Sequence, residues 1–151
     1  MRLAIATEPD APVVASMVNL LIEELGGVQL PTVEAQAAAA HLLRDRDAGF
    51  AVLAWEGTKP VGACTVSIQH AVRTLGRYGI IQEIYVTPES RSLGVGAELI
   101  ALAQSEAEAQ GCRTIELGTP PHGDRQIAFY QRAGFTPVGM RLRSKLMRPH
   151  T

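Results

Sequence analysis

The chain has 151 residues, the size of one ordinary domain, and a formal net charge of −1 at pH 7. This balance excludes the strongly basic classes that bind nucleic acid or anionic membranes by charge. Two cysteines without CxxC spacing and four scattered histidines indicate neither a disulfide framework nor a metal site. Since no leader pattern and no apolar run of membrane-spanning length occurs, we expect one cytoplasmic domain, residues 1–151, without a nucleic-acid or membrane partner.

Hydrophobic periodicity predicts helices and strands in alternation along the chain. The first helix begins at Thr7, because a threonine cap, Pro9 and an acid three residues after the cap are helix-start signals, and Gly26 ends it. The strongest strand is rich in isoleucine and ends before Pro88. The predicted elements are strand 1–6, helix 7–25, helix 32–43, strands 50–55 and 61–68, loop 71–78, strand 79–87, helix 94–110, strand 114–117, helix 124–132, and closing strands 135–139 and 140–147.

The turn between the strongest strand and the long helix is the most informative segment. A helix start presents unpaired N–H groups and positive potential, and glycines there let a diphosphate approach the main chain. Arg91 adds a side chain able to contact a phosphate oxygen in two places. We therefore predict a pyrophosphate site, although a glycine pair that only permits a tight turn remains an alternative. Its residues are Arg91, Ser92, Leu93, Gly94, Val95, Gly96 and Ala97.

Two motifs in the chain resemble those of the GNAT acetyltransferase superfamily. Arg91-x-x-Gly94-x-Gly96, after Ile84-Tyr85-Val86-Thr87-Pro88, is similar to its motif A, and Ala128 to Phe135 is similar to its motif B. The resemblance implies an α/β, GNAT-type acyl-CoA N-acyltransferase fold, with a mixed central sheet of about six to seven strands flanked by about four helices. It also implies an N-acetyltransferase that moves an acetyl group from acetyl-CoA, its co-substrate, to a primary amine by direct attack.

The resemblance places the coenzyme on two segments. The diphosphate would lie on the turn 91–97, and the pantetheine arm would pair with the strand backbone beside Ile84 and Val86. This requires strand 114–117 to separate from the preceding strand. Asp124 stands where the family often has an asparagine. The candidate coenzyme-binding residues outside the turn are Ile84, Tyr85, Val86, Asp124 and Tyr130.

Two residues are the candidate catalytic groups. The resemblance makes Tyr130 the general acid that protonates the departing thiolate, because a tyrosine with a reference pKa of about 10 is protonated at neutral pH. Glu83 is the candidate base for the attacking amine, since its apolar neighbours are expected to raise its pKa. The alternatives are a packed ring for Tyr130 and, for Glu83, a solvent-facing carboxylate or one paired with Arg73 or Arg77.

The acceptor is expected to be a small-molecule or peptide amine. Four arginines are candidates for holding a carboxylate on it: Arg73, Arg77, Arg141 and Arg143. Dimers through the closing strands are common in the family, so a homodimer is compatible with the sequence. Two other functions stay open, namely a non-catalytic acyl-CoA sensor or interaction module, and a nucleotide-binding domain, although the chain lacks a Walker lysine and the third glycine of GxGxxG.

Overall fold

A computed structural model describes residues 1–119 and 123–147. The chain divides into two compact units, Met1–Leu117 and Gly118–Thr151, and the expectation of one domain stays a prediction. The elements of the first unit are β1 Arg2–Ile5, α1 Ala11–Glu24, α2 Thr32–Arg44, β2 Gly49–Glu56, β3 Lys59–Ala71, β4 Gly76–Val86, α3 Val95–Ala109 and β5 Ile115–Leu117.

The central sheet is mixed, with the strands in the order β1-β2-β3-β4-β5. Neighbouring strands are antiparallel except for β4 and β5, which are parallel. The crossover between these two strands is α3, as a parallel connection requires. The α/β prediction is confirmed, with five strands among the described residues instead of six to seven.

The two faces of the sheet pack against different helices. Leu53 and Ala63 belong to a core cluster with residues of α1 and α2. The next residue, Gly62, lies against α3, so close that a Cβ built there would be 3.0 Å from the Leu99 side chain. Because successive strand residues face opposite sides, α1 and α2 cover one face and α3 the other. Within the sheet, β4 lies between β3 and β5.

The start of α1 agrees with its sequence signals. A short 3₁₀ turn, Glu8–Asp10, precedes the helix. The Thr7 N–H donates to the Asp10 carboxylate at 2.8 Å, which satisfies one of the donors that a helix start leaves unpaired. After the helix, Gly26 has φ +83°, a left-handed conformation that favours glycine, and the chain leaves the helix there.

The predicted loop over residues 71–78 is too long, since only residues 72–75 form a turn. β3 continues to Ala71 and β4 begins at Gly76, so the two strands form a long hairpin with a four-residue turn between them. His70 pairs with Arg77 near the end of this ladder. Exposed strand ends with polar side chains have the composition of a loop. Strands pair through backbone groups, so the side-chain sequence does not show this pairing.

The second unit contains α4, Asp124–Arg132. The predicted closing strands 135–139 and 140–147 are wrong, since the structure assigns no strand to residues 135–147 and leaves residues 136–147 exposed. Alternation of apolar and polar residues predicts a strand only where a partner supplies hydrogen bonds. Pro137 also lacks a backbone donor. These two segments account for the lower strand count.

Candidate active site

β4 has an open edge over its last five residues. β5 pairs with β4 at three positions, from Gly79 with Ile115 to Ile81 with Leu117. β4 then continues to Val86, and no strand of the described residues pairs with that segment on the β5 side. The pairing of β4 with β5 therefore ends before Ile84 and Val86, the residues beside which the sequence places a coenzyme arm.

The backbone groups of Ile84 and Val86 point towards this open edge. Thr87 donates its N–H to the Val61 carbonyl of β3 at 2.9 Å, and the hydrogen-bonding direction alternates along a strand. The N–H and C=O of Val86 therefore point away from β3, and its carbonyl accepts the Nε–H of Arg91 at 3.0 Å. An extended chain could pair with this edge as an added strand.

A β-bulge lies immediately before Glu83. Ile81 pairs with Val66 and Glu83 pairs with Thr65, so Gln82 is an extra residue in β4. The Thr65 hydroxyl donates to Oε1 of Glu83 at 2.6 Å and accepts the Glu83 N–H at 3.1 Å. One hydroxyl thus contacts both the carboxylate and the amide of Glu83.

The surroundings of Glu83 favour its neutral form. Burial raises the pKa of Glu83 above its usual range, and the hydrogen bond from Thr65 opposes that rise. Arg73 pairs with Glu116 at 3.3 Å and Arg77 with Asp47 at 2.6 Å. Neither arginine pairs with Glu83, in contrast to the alternative drawn from the sequence. A half-buried carboxylate with a raised pKa is suited to take a proton near neutral pH.

The turn before α3 presents free backbone donors. Ser92 has φ +68° and Gly94 has φ +82°, and the helix begins at Val95. The first N–H of this turn that bonds back along the helix is that of Glu98, to the Gly94 carbonyl at 3.1 Å. The N–H groups of Val95, Gly96 and Ala97 point out of a helix start, and no side chain of residues 1–119 or 123–147 is hydrogen-bonded to them. Such a group of donors can hold an anion.

Arg91 lies against the end of α1. Its guanidinium forms an ion pair with Glu24 and lies over the Tyr85 ring, 5.7 Å from the centroid. Its Nε–H bonds to the Val86 carbonyl, so the side chain links α1 with the carboxyl end of β4. Sequence reasoning missed Glu24, because 67 positions separate it from Arg91 and no local pattern marks the contact.

Tyr85 lies on the face of the sheet that α1 and α2 cover. Its side chain is 8% exposed and belongs to the core cluster on that face. Burial raises the pKa of Tyr85, Glu24 raises it further, and Arg91 lowers it. Its residue partner in the ladder is Ala63 of β3. Tyr85 thus lies beside Glu83 on the α1 face, as the period of two predicts, and its backbone does not face the open edge.

The remaining candidates are in the second unit. Tyr130, on α4, is half-buried and packs edge-on against Phe129 and Phe135, with ring centroids 5.2 and 5.9 Å away. Asp124 is the first residue of α4, and Gly123 takes the capping position. An acid in the first turn of a helix is favourable. Arg141 lies beside Gly118, 3.7 Å from the position that a Cβ would take.

The described part of the chain has neither a metal-binding cluster nor a membrane-spanning helix. Residues 1–119 and 123–147 contain no group of three or more His, Cys, Asp or Glu side chains that could hold a metal ion. His122 and His150 lie outside the described residues. Within the same residues, no helix combines the length and the apolar character that crossing a membrane needs.

Comparisons with known proteins agree with this geometry. The family model described as acetyltransferase (GNAT) family matches residues 14–135. An IAA acetyltransferase of Azospirillum brasilense is 29% identical over 133 residues, 86% of this chain and 83% of that protein. An aminoalkylphosphonate N-acetyltransferase of Salmonella typhimurium is 31% identical over 83 residues, 55% of this chain and 54% of that protein. An aminoglycoside N-acetyltransferase solved in complex with CoA shares the fold, with a TM-score of 0.81 at 20% identity, covering 95% of this chain and 93% of that chain.

Proposed function

Because the chain belongs to the GNAT acetyltransferase family, we propose that it is an N-acetyltransferase that moves the acetyl group of acetyl-CoA to a primary amine by direct attack. One observation carries the proposal. In the first unit, the free N–H groups at the start of α3 follow directly after the open edge of β4. The first feature suits an anion and the second suits an extended chain with amide groups. Coenzyme A combines a diphosphate with such a chain.

The proposed coenzyme contacts are mainly with the backbone. The N–H groups of residues 93–97 hold the diphosphate, and Ile84 and Val86 pair with the pantetheine arm. The Val86 N–H donates to the thioester carbonyl and makes its carbon more reactive. Arg91, which is paired with Glu24, is the side chain proposed to contact a phosphate oxygen. Acetyl-CoA supplies an activated acetyl group, and a CoA complex of a protein with this fold supports the choice of coenzyme.

Glu83 is the proposed general base. An ammonium has no lone pair, so the acceptor amine must lose a proton before or during the attack. Glu83 is half-buried, lies next to the bulge in the open segment of β4, and has a pKa raised by burial. These properties support proton transfer from the amine to the Glu83 carboxylate near neutral pH.

Tyr130 is the proposed general acid. Once the acetyl group has moved, the coenzyme sulfur needs a proton, and a phenol can give one. The support for Tyr130 is its place in the motif that resembles the family's motif B, together with packing against Phe129 and Phe135, which restricts its ring. Packing alone would suit a structural role equally well, so a Tyr130→Phe variant separates the two.

The proposed acceptor is a small amine. The two family relatives compared above are named for acetylation of IAA and of aminoalkylphosphonate. A carboxylated amine held by arginine is a narrower proposal. It is weaker at Arg73 and Arg77, because both are already paired with carboxylates. Arg141 and Arg143 are exposed and are the better candidates for such a contact.

A thiol-release assay with a panel of amines tests the proposal. The purified chain is mixed with acetyl-CoA and each amine, free thiol is followed, and calorimetry with CoA, ATP and NAD is run in parallel. We expect CoA binding and amine-dependent release of thiol. Binding of CoA without turnover on any amine would favour the acyl-CoA-binding module. Binding of ATP or NAD in place of CoA would contradict the proposal.

A further inference from the structure

Thr65 is a buried hydroxyl whose hydrogen bonds go to a single residue. Its side chain is 2% exposed, on β3, and faces the α1 side of the sheet together with Ala63. The hydroxyl donates to Oε1 of Glu83 at 2.6 Å and accepts the Glu83 N–H at 3.1 Å. A hydroxyl can donate one hydrogen bond, and here the acceptor is the Glu83 carboxylate. Both ends of Glu83 are thus attached to one stiff, β-branched side chain.

The bulge at Gln82 creates this arrangement. Before the bulge Gly79 donates its N–H towards β5, to the Thr114 carbonyl, so in a regular ladder the amide of Glu83 would also point away from β3. The extra residue shifts the register between Val66 and Thr65 and brings Glu83 opposite Thr65, where its amide donates to the Thr65 hydroxyl. The carboxylate of Glu83 accepts a hydrogen bond from the same hydroxyl.

Few charged groups compete for Glu83 in the part of the chain that the structure describes. Cys64 of β3 is within electrostatic reach, and its own pKa is raised to about 12 by burial and then by Glu83. Tyr85 is two residues along β4, and Glu23 and Glu24 of α1 act on Tyr85. None of these groups is a cation, so the Thr65 hydroxyl is what opposes the burial of the carboxylate.

We propose that Thr65 is a positioning residue for the general base: its hydroxyl holds the Glu83 carboxylate in one orientation at the open segment of β4. The inference rests on the proposed function, in which Glu83 takes the proton of the amine. It adds a residue of β3 that touches neither the coenzyme nor the acceptor. The hydroxyl favours the ionised form of the carboxylate and restricts its orientation, so its loss leaves the carboxylate freer to rotate and easier to protonate.

Three variants test this role: Thr65→Val, which removes the hydroxyl at constant shape, Thr65→Ser, which keeps it, and Glu83→Gln. The first measurement needs no turnover. The glutamate carboxylates of the whole chain are labelled with ¹³C and titrated by NMR, and Glu83 is assigned by the signal missing in Glu83→Gln. Loss of a hydrogen bond to a charged group should raise the midpoint by about one pH unit in Thr65→Val, whereas Thr65→Ser should keep the wild-type midpoint.

The second measurement is the pH profile of kcat/KM. In Thr65→Val its acidic limb should move to higher pH by the same amount, so that kcat/KM at a pH below the limb is about tenfold lower than in wild type. In Thr65→Ser the limb should lie at its wild-type pH. In a Glu83→Gln background, Thr65→Val should leave the profile unchanged. If the valine variant does not fold, Thr65→Ala removes the same hydroxyl with the same expected outcome.

The outcomes separate the two proposals. A Glu83 titration that is identical in wild type and Thr65→Val overturns the role of Thr65, whatever the activity. A shifted titration without turnover on any amine supports the contact between Thr65 and Glu83 but contradicts the proposed function. A shifted titration with an unshifted acidic limb shows that the base is another group, and this also overturns the inference.

Discussion

At the scale of single residues, the proposed reaction needs two side chains with opposite tasks. Glu83 must be ionised to take a proton, and Tyr130 must be protonated to give one. Burial moves the pKa of Glu83 towards neutral pH, which makes it a stronger base than an exposed carboxylate. Tyr130 has aromatic neighbours on two sides. Each assignment is tested by a substitution that removes the titratable group and keeps the shape of the side chain.

Glu83→Gln should remove the acidic limb of the kcat/KM profile and lower kcat/KM by about 10²–10⁴-fold. Because the pKa of Glu83 is raised, the wild-type limb should lie above the usual carboxyl range, with activity lost as the pH falls through it. The control is Glu34→Gln, at an exposed position on α2, which should behave as wild type. A Glu83→Gln profile that keeps its acidic limb rules out Glu83 as the base.

Tyr130→Phe should lower kcat by about 10²–10⁴-fold and leave the dissociation constant of CoA nearly unchanged, since the ring and its packing remain. Tyr78→Phe, a tyrosine on β4 whose ring lies under Arg73, is the matched control and should keep full turnover. Steady-state kinetics and calorimetry provide the two readouts. Unchanged turnover in Tyr130→Phe would assign its ring to packing alone.

At the scale of elements, the important feature is the junction of β4 and α3. The strand supplies an edge, the helix supplies unpaired N–H groups, and the turn between them uses left-handed conformations at Ser92 and Gly94. A Cβ at Gly94 would meet no protein atom within 4 Å. Glycine is therefore required there by backbone conformation and, in the proposed function, by the approach of a diphosphate.

Gly94→Ala and Gly111→Ala form a matched pair for this junction. Both glycines have nearly the same φ, +82° and +85°, both flank α3, and neither Cβ would meet an atom within 4 Å. Each substitution should lower the free energy of unfolding by about 1 kcal/mol through backbone strain. Only Gly94→Ala should weaken CoA binding, by about tenfold or more. Equal CoA affinity in the two variants, measured by calorimetry, would contradict a diphosphate site at this turn.

At the scale of the whole molecule, helices on both faces of the sheet in the first unit make its core. Leu99 and Ile100 of α3 are fully buried, as are Leu53 and Val52 of β2. The core packs each face of the sheet against its helices. It thereby determines where the open edge of β4 lies relative to the start of α3. The site should therefore lose its geometry only when this core does.

Leu99→Ala should lower the free energy of unfolding by about 2–5 kcal/mol, because it leaves a cavity among buried side chains. Leu93→Ala, on an exposed leucine before the same helix, should change it by less than about 0.5 kcal/mol. Urea unfolding followed by circular dichroism measures both. A similar small effect of both substitutions would mean that α3 does not pack as described.

Much of the fold and of the candidate site could be predicted from the sequence because the signals are local. Start and stop residues marked the helices, apolar runs marked β2 to β4, and the arginine and glycines before α3 marked the turn. The closing strands failed for a physical reason: residues 135–147 have the alternation of a strand but no described partner. The roles of Tyr130 and Arg91 stay predictions.

Local chemistry by itself thus determined most of the elements, the turn that can hold an anion, and the identity of Glu83 as a candidate base. Only the tertiary structure decided which residue contacts Glu83. Counting back from the hairpin turn, where Ala71 pairs with Gly76, would place Thr65 opposite Gln82, and the bulge moves it to Glu83. The bulge depends on hydrogen bonds between the two strands of the hairpin, and the open edge of β4 depends on where its pairing with β5 ends; a local sequence pattern marks neither.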